Sequence, residues 1–142
     1  MSYCTEKFPD DLSIEAEESL LRRIPPDHII FDDNEKRWRP SSAAFEDDRD
    51  GDPMSVVLLK ILNRDKREPS SVLKGHEDYA LASITAGLAR QYVQTVHPQP
   101  LDEEPAHAVV CGEKTKGKKN APKKKFAQAA TWVVFEERPH PT

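Results

Sequence analysis

The chain has 142 residues, of which 37% are hydrophobic and 32% are charged, and its formal net charge is −4. This length fits one domain with one core, and the clustering of the apolar residues argues against wholesale disorder. No apolar run approaches the roughly 20 residues of a membrane-spanning helix, and the polar, acidic start is unlike a secretory signal. We therefore expect a single cytoplasmic domain over residues 1–142 with no membrane contact.

The first half of the chain predicts one helix and several extended segments. Residues 1–12 are expected to be a loose tail. Ser13 as a cap, acids at 15–18 and arginines at 22–23 predict a helix over 14–24, which Pro25 ends. Residues 28–31 and 38–45 are predicted to be extended. The apolar run 54–62 fits a buried strand or a short helix, and Val56-Val57 favours strand for its first part.

The second half predicts more strands and a helix near the end. We expect a strand over 81–85, a helical turn over 88–90 and a strand over 92–96, with a single helix over 80–96 as the alternative. Residues 106–111 form a predicted strand, residues 125–135 begin helical and end as a strand, and 136–142 are a second loose tail. The sum is an α+β fold: a small, mostly antiparallel sheet with an N-terminal helix and a C-terminal helical segment.

A lysine cluster interrupts an otherwise acidic chain. Seven of the twelve residues from 114 to 125 are lysine, and without them 14 basic residues face 25 acidic ones, a net charge of −11. With Gly112, Gly117 and Pro122, the pattern predicts a mobile loop over 112–125 that is either solvated or in weak contact with nucleic acid. The candidate nucleic-acid-binding residues are Lys114, Lys116, Lys118, Lys119, Lys123, Lys124 and Lys125.

A second group of residues is a candidate site for a phosphate or carboxylate. Arginine with neighbouring hydroxyls can bind such a group, and Arg39, Ser41 and Ser42 provide both in one segment. The alternative for this segment is an edge strand protected by arginine and Pro40. Arg23 and His107 complete the candidate set, although His107 shares a predicted strand face with apolar residues, which favours a core or edge histidine over a general base.

Other motifs are incomplete, so no catalytic residue, metal site or cofactor is predicted. A phosphate-binding loop beginning at Gly112 has Lys119 where a hydroxyl should be, and a calcium loop around Gly51 would close on Val57. The five histidines are scattered without metal-ligand spacing. Cys4 and Cys111 are interpreted as two unrelated thiols, as expected in a reducing compartment.

Three segments, LLRRIPPDHII, RWRPSSAAF and LDEEPAHAVV, resemble a family of small uncharacterised bacterial proteins. That resemblance implies a bacterial, cytosolic, single-domain protein. A more distant similarity is to the mono-ADP-ribosyltransferase-like fold, in which an early arginine and a serine-containing strand precede a catalytic glutamate. Arg23 and Ser41-Ser42 correspond to the first two, and no glutamate lies in a late predicted strand.

These observations leave three functional hypotheses. The first is a non-enzymatic accessory component that binds another protein of one bacterial system. The second is weak, sequence-independent contact with nucleic acid through the lysines. The third is an enzyme or binder acting on a nucleotide or phosphorylated ligand, which requires Arg23, Arg39, Ser41, Ser42 and His107 to meet in one pocket.

Overall fold

The computed structural model describes residues 3–48 and 51–141, and it has the predicted α+β architecture. Four α-helices and eight strands lie within these described residues. The helices are α1 (Tyr3–Lys7), α2 (Leu59–Arg64), α3 (Ala86–Gln91) and α4 (Pro122–Ala129). The strands are β1 (Ser19–Ile24), β2 (Ile29–Asp32), β3 (Arg37–Pro40), β4 (Met54–Leu58), β5 (Ala80–Thr85), β6 (Thr95–Pro98), β7 (His107–Cys111) and β8 (Thr131–Val134). Among the described residues, no helix has the length and apolarity required to cross a membrane.

Six strands form one sheet in the order β6-β7-β4-β1-β5-β8, while β2 and β3 make a separate hairpin. Every described ladder is antiparallel. β1 and β4 pair only through Leu20 with Leu58 and Leu21 with Val57, whereas β1 pairs with β5 along its whole length. The shorter β1–β4 ladder leaves space beside Arg22, which a side chain must fill.

The larger core lies on one face of the sheet, because alternate residues of a strand point to the same side. Leu20 and Ile24 of β1 are fully buried there. Phe45 and Phe126 belong to the same cluster and pack edge-to-face, with ring centroids 6.2 Å apart. This aromatic pair joins α4 to the 3-10 turn Ser42–Phe45 in the core.

The opposite face is covered at its two ends. At one end a smaller apolar cluster joins the strands to α2 and the segment that follows it, through Leu21, Val57, Leu62, Val72, Leu73, Leu81 and Ala106. At the other end Phe8 packs on Val109 and Cys111 of β7. The part of this face between the two clusters carries polar side chains and borders a cavity.

The predicted N-terminal helix exists, but it does not lie over residues 14–24. The helix is α1, and the segment that looked helical contains strand β1. The residues that suggested a helix make other contacts. The Glu18 carboxylate accepts a hydrogen bond from Glu15 N. The main-chain oxygens of Glu18 and Ala16 accept from the amides of Ala86 and Gly87. Pairing with both β4 and β5 buries Leu20 and Leu21 completely, so tertiary contacts override local helix propensity.

The start of the chain also differs from the expected loose tail with an unrelated thiol. Cys4 and Cys111 form a disulfide, with Cα atoms 5.6 Å apart. Asp10 and Asp11 then bind the outer edge of β6: Val96 N donates to Asp10 Oδ1 at 2.8 Å, and Asp11 N donates to Val96 O at 2.9 Å. Arg90 holds the same segment through Asp10 at 2.9 Å. This segment therefore protects an edge strand that would otherwise expose its hydrogen-bonding groups.

Elsewhere the sequence-based assignments agree closely with the structure. The run 54–62 is strand β4 followed by α2, and residues 81–96 contain β5, α3 and the start of β6 rather than one helix. Residues 106–111 correspond to β7, and the last apolar stretch is α4 followed by β8. The second extended segment is shorter than expected, because β3 ends at Pro40 and a 3-10 turn covers Ser42–Phe45.

Candidate functional site

A cavity of about 510 Å³ opens on the partly covered face of the sheet, and we call it the basic cavity. β1, β4 and β7 form its floor, and the segments after α2 and before β7 form its walls. Its lining includes four arginine or lysine residues and two glutamates. These charged residues are Arg22, Arg23, Arg67, Lys74, Glu103 and Glu104. A cationic lining is notable because the chain as a whole carries a net charge of −4.

Strand alternation explains which side chains reach the floor of the cavity. Leu21 and Val57 pair across β1 and β4 and pack on this face, so Arg23 and Ser55, two residues away, lie on the same side. His107 is the β7 partner of Val57 and also lies there. Polar residues at these positions interrupt the apolar face and give the cavity its chemistry.

Arg67 is fixed in one wall by a bidentate ion pair. Its two terminal nitrogens donate to the two Glu104 oxygens at 2.6 and 2.9 Å, and one of them also donates to Ser71 Oγ at 3.2 Å. The pair lowers the pKa of Glu104 and raises the pKa of Arg67, with the mutual hydrogen bonds as the main cause in both. Paired and partly buried, Arg67 is a rigid element of the wall.

Arg22 lines the same cavity, but its side chain bonds to the protein itself. It fills the gap between β1 and β4, where it donates to Ala44 O at 3.0 Å and Ser55 O at 2.8 Å and pairs with Asp48 at 3.2 Å. Burial lowers the pKa of this guanidinium, and the Asp48 carboxylate opposes that effect. Its charge is therefore committed to the protein itself.

A chain of hydrogen bonds crosses the floor from β7 to Asp48. His107 Nδ1 lies 2.9 Å from Gln99 O, and His107 Nε2 lies 3.1 Å from Ser55 Oγ. Ser55 Oγ donates to Asp48 Oδ2 at 2.5 Å. Since a carbonyl oxygen can only accept, Nδ1 carries a proton and Nε2 is the nitrogen that faces the serine. Ser55 has one hydroxyl proton, and because Asp48 accepts it, Ser55 Oγ can face His107 Nε2 only as an acceptor. His107 and Asp48 together therefore hold Ser55 in place.

Arg23 and Lys74 are the cations of the cavity that the protein does not neutralise. Both are exposed, and within residues 3–48 and 51–141 neither side chain forms an ion pair or a hydrogen bond. They line the same cavity as the fixed Arg67 and the hydroxyls of Ser55 and Ser71. The combination of two unpaired cations, one oriented guanidinium and the Ser71 hydroxyl suits an anionic group with several oxygen acceptors.

The structure divides the five candidate ligand-binding residues that the sequence suggested. Arg23 and His107 meet in the basic cavity. Arg39 lies on β3, where it pairs with Asp32 at 2.8 Å and donates to Pro40 O at 2.9 Å. Ser41 and Ser42 begin the 3-10 turn that follows β3, and none of these three residues lines the basic cavity. The basic cavity therefore brings together two of the five candidate residues and not the other three.

Sequence reasoning missed the cavity residues that come from the segment after α2. Arg67, Ser71 and Lys74 lie in residues 63–77, which are polar and rich in turn-forming residues and so indicate only a loop. Part of this stretch is a 3-10 helix, Pro69–Leu73, whose Val72 and Leu73 are buried. The adjacent apolar pair Val72-Leu73 is the sequence signal that could have indicated that the loop packs on the sheet.

The seven lysines do not behave as one solvated loop. Lys114 is only 3% exposed, and its Nζ donates to Asp47 Oδ1 at 2.5 Å and to the carbonyls of Val110 and Gly112, both at 3.0 Å. Burial lowers its pKa, against the raising effect of Asp47. Lys123 pairs with Glu46 at 2.6 Å and, with Lys124 and Lys125, belongs to α4. The other five lysines form no ion pair among the described residues. Four of them are exposed and one is half-buried: Lys116, Lys118, Lys119 and Lys124, and Lys125.

The metal-binding potential of the site and the comparisons with known proteins complete its description. Among the described residues, no group of three or more His, Cys, Asp or Glu side chains is arranged to hold a metal ion. No family model, curated protein or solved structure matches this chain. The function must therefore be argued from the cavity itself, and the resemblances noted from the sequence stay predictions.

Proposed function

We propose that this protein binds a small phosphorylated ligand in the basic cavity. The observation that carries the proposal is the presence of Arg23 and Lys74 in one cavity, each without an ion-pair partner in the described part of the chain. Glu103 also lines the cavity without a partner among the described residues, so these three side chains carry a net charge of +1. A bound anion would provide the partners that Arg23 and Lys74 lack.

The remaining residues favour phosphate over an isolated carboxylate. Arg67 is held by Glu104 in a fixed orientation, and the Ser71 hydroxyl, which accepts from Arg67, keeps its own proton to donate to a phosphate oxygen. A volume of about 510 Å³ exceeds the needs of a single inorganic ion and lies within the range of small-molecule sites. Leu21, Val57 and Val72 supply an apolar part of the lining for the body of such a ligand.

The proposal is one of binding, because the geometry does not provide a free general base. The two ring nitrogens of His107 are both in hydrogen-bond contact with the protein, Nδ1 with Gln99 O and Nε2 with Ser55 Oγ. Ser55 in turn is held by Asp48. These contacts commit the Ser55 hydroxyl proton to the protein, which leaves Ser71 as the hydroxyl that can donate to a ligand oxygen.

The test is calorimetric titration with pyrophosphate and adenosine monophosphate at low ionic strength. The double variant Arg23→Ala/Lys74→Ala should weaken binding by about tenfold or more, since hydrogen bonds to charged groups contribute about 1.5–3 kcal/mol each. The matched control is Lys119→Ala/Lys124→Ala, which removes the same charge from exposed lysines outside the cavity and should leave the affinity nearly unchanged. Equal losses in both double variants would show a nonspecific charge effect and contradict the proposal.

A second candidate function is weak nucleic-acid contact, which the exposed lysines favour. With Lys114 buried and Lys123 paired, at most five lysines of the cluster are available. Five phosphate contacts on duplex DNA would give a log-log salt slope of about −4 to −5. Fluorescence anisotropy with labelled DNA, comparing the wild type with a variant in which those five lysines are serine, tests this candidate. No binding at low salt would rule it out.

The accessory role inferred from the sequence stays a prediction, as do the bacterial origin, the cytoplasmic location and the partner protein of the same system. This role predicts stable association with a second polypeptide. Light scattering behind size-exclusion chromatography, on protein purified from its native source, measures this directly. A strictly monomeric profile with no co-purifying chain would count against it.

A further inference from the structure

A disulfide joins the start of the chain to the sheet, and its two cysteines lie in different surroundings. Cys111 ends β7, an inner strand between β6 and β4, and it is only 4% exposed. Cys4 belongs to α1, is half-buried, and lines a cavity of about 570 Å³ between α1 and the start of β6, which we call the N-terminal cavity. Of the two residues, Cys4 is therefore the one that a molecule in solution can approach.

α1 has no buried face that would hold it against the sheet. It consists of the five residues Tyr3–Lys7, and none of them is buried. The Tyr3 ring lies 5.8 Å from the Phe8 ring and 5.7 Å from Lys7 Nζ, so these contacts stay within the same segment. Isolated helices shorter than about 12–15 residues are marginal in water. Local opening of α1 should therefore cost little free energy compared with unfolding of the core.

The residues that follow α1 are held more firmly than the helix itself. Phe8 is 9% exposed and packs on Val109 of β7. Asp10 pairs with Arg90 at 2.9 Å and accepts from Val96 N at 2.8 Å. Opening of α1 leaves these contacts intact, because they begin at Phe8. The Cys4 sulfur can therefore become accessible while the rest of the fold stays closed.

We propose that Cys4 is a site of thiol–disulfide exchange with small-molecule thiols of the glutathione and free-cysteine class, and that opening of α1 admits them. The thiolate of the small molecule attacks the Cys4 sulfur and forms a new sulfur–sulfur bond there. The bond between Cys4 and Cys111 breaks, and its electron pair leaves with the Cys111 sulfur. The products are a mixed disulfide on Cys4 and a Cys111 thiolate, which takes a proton from solvent.

A second small-molecule thiol completes the reduction. Its thiolate attacks the small-molecule sulfur of the mixed disulfide, which forms the disulfide of the small molecule and releases Cys4 as a thiolate that is then protonated. Two thiols are oxidised and one protein disulfide is reduced, which is a two-electron exchange that runs in reverse in an oxidising solution.

The exchange has a structural consequence that is confined to one end of the molecule. Without the covalent link to β7, α1 should unfold, and the N-terminal cavity should lose the wall that Tyr3 and Cys4 provide. Among the described residues, the N-terminal cavity and the basic cavity share no lining residue. The exchange site therefore does not depend on the proposed phosphorylated ligand.

The first test locates the exchange. The oxidised full-length protein is incubated with millimolar reduced glutathione, quenched in acid at early times, and mapped by peptide mass spectrometry. Glutathione should be found on Cys4, with Cys111 as the free thiol. Glutathione chiefly on Cys111, or on neither cysteine, would overturn the proposal. Amide NMR of the fully reduced protein should then show random-coil shifts for residues 3–7 and a protected Val96 amide, and a helical α1 in that form would contradict the opening step.

The second test separates local opening of α1 from global unfolding. Leu62→Ala truncates a fully buried side chain in the other apolar cluster of this face and should raise the unfolded population by about thirtyfold or more. Exchange through α1 should keep the wild-type rate, whereas exchange through the unfolded chain should accelerate in proportion. If the variant does not fold, wild-type rates in urea below the unfolding transition replace it, because a globally gated rate rises by about fivefold or more per molar urea. Acceleration of that size in either experiment would overturn the proposal.

Discussion

Replacing Lys114 with methionine should destabilise the protein far more than the same change at a neighbouring lysine. Methionine keeps the apolar volume of the side chain but removes the hydrogen-bond donor to Asp47 and to the carbonyls of Val110 and Gly112. Val110 is fully buried, so its carbonyl cannot easily find water as a replacement. Breaking a buried charged pair costs about 3–5 kcal/mol. Asp47 is 43% exposed and can be rehydrated, so we expect about 2–3 kcal/mol.

The assays are thermal unfolding and denaturant titration of Lys114→Met beside Lys116→Met, a matched change at an exposed position. For a chain of this length the first variant should lose about 6–10 °C in melting temperature, and the second should stay within about 0.5 kcal/mol of the wild type. If Lys114→Met also stays within that range, the buried-lysine argument is refuted.

The pH dependence of the same variant has a definite sign. Burial lowers the pKa of Lys114 below its ordinary value of 10.5, so the unfolded chain holds more protons than the folded chain between these two values. The cost of burying the charge is present below the lowered pKa and is relieved as the pH rises toward 10.5. The stability of the wild type relative to Lys114→Met should therefore increase across that window, and a decrease would contradict the pKa direction.

Three further predictions concern other fixed points of the fold. Cys4→Ser removes a cross-link between residues 107 positions apart and should cost about 2–4 kcal/mol in denaturant titrations, and equal stability would mean that the oxidised form is not populated. Glu104→Gln should reduce the loss of stability that the wild type shows below pH 4.5. Arg67 lowers the pKa of Glu104, so the ionised carboxylate stabilises the fold, and this contribution is lost as the pH falls through the lowered pKa. An unchanged stability profile in acid would contradict this. Gly112→Ala would bring a Cβ to 2.6 Å from the Gln94 amide and should cost about 1–3 kcal/mol by thermal melting, whereas a neutral effect would show that Gln94 can move.

Much of the fold was predictable because its strands and last helix have clear local signals. The alternation in 106–111 and the helix-to-strand change in 125–135 match β7, α4 and β8. The segment 14–24 was assigned wrongly because its caps and charges favour a helix, whereas β1 forms through long-range pairing with β4 and β5. Long-range pairing leaves no signature in a single segment, and the same limit hid the disulfide between Cys4 and Cys111.

The candidate site was predictable only in part. Arg23 and His107 were identified, although Arg23 was assigned to a helix. Arg67 and Lys74 could not be placed beside them, because that proximity depends on how Val72 and Leu73 dock the intervening segment on the sheet. The charge density of the lysine cluster suggested one solvated loop, yet Lys114 is buried, since a single nearby carboxylate and two carbonyls are enough to hold one ammonium in the interior.

The central claim, that the basic cavity binds a phosphorylated ligand, is tested most directly by mapping where pyrophosphate binds. The measurement is a titration of isotopically labelled protein followed by amide NMR at low ionic strength. We expect saturable shifts at the residues that line the cavity, namely Arg23, Ser55, Ser71, Lys74 and His107, and their loss in Arg23→Ala/Lys74→Ala. Shifts confined to the exposed lysines of residues 116–125, with the basic cavity unaffected, would contradict the account.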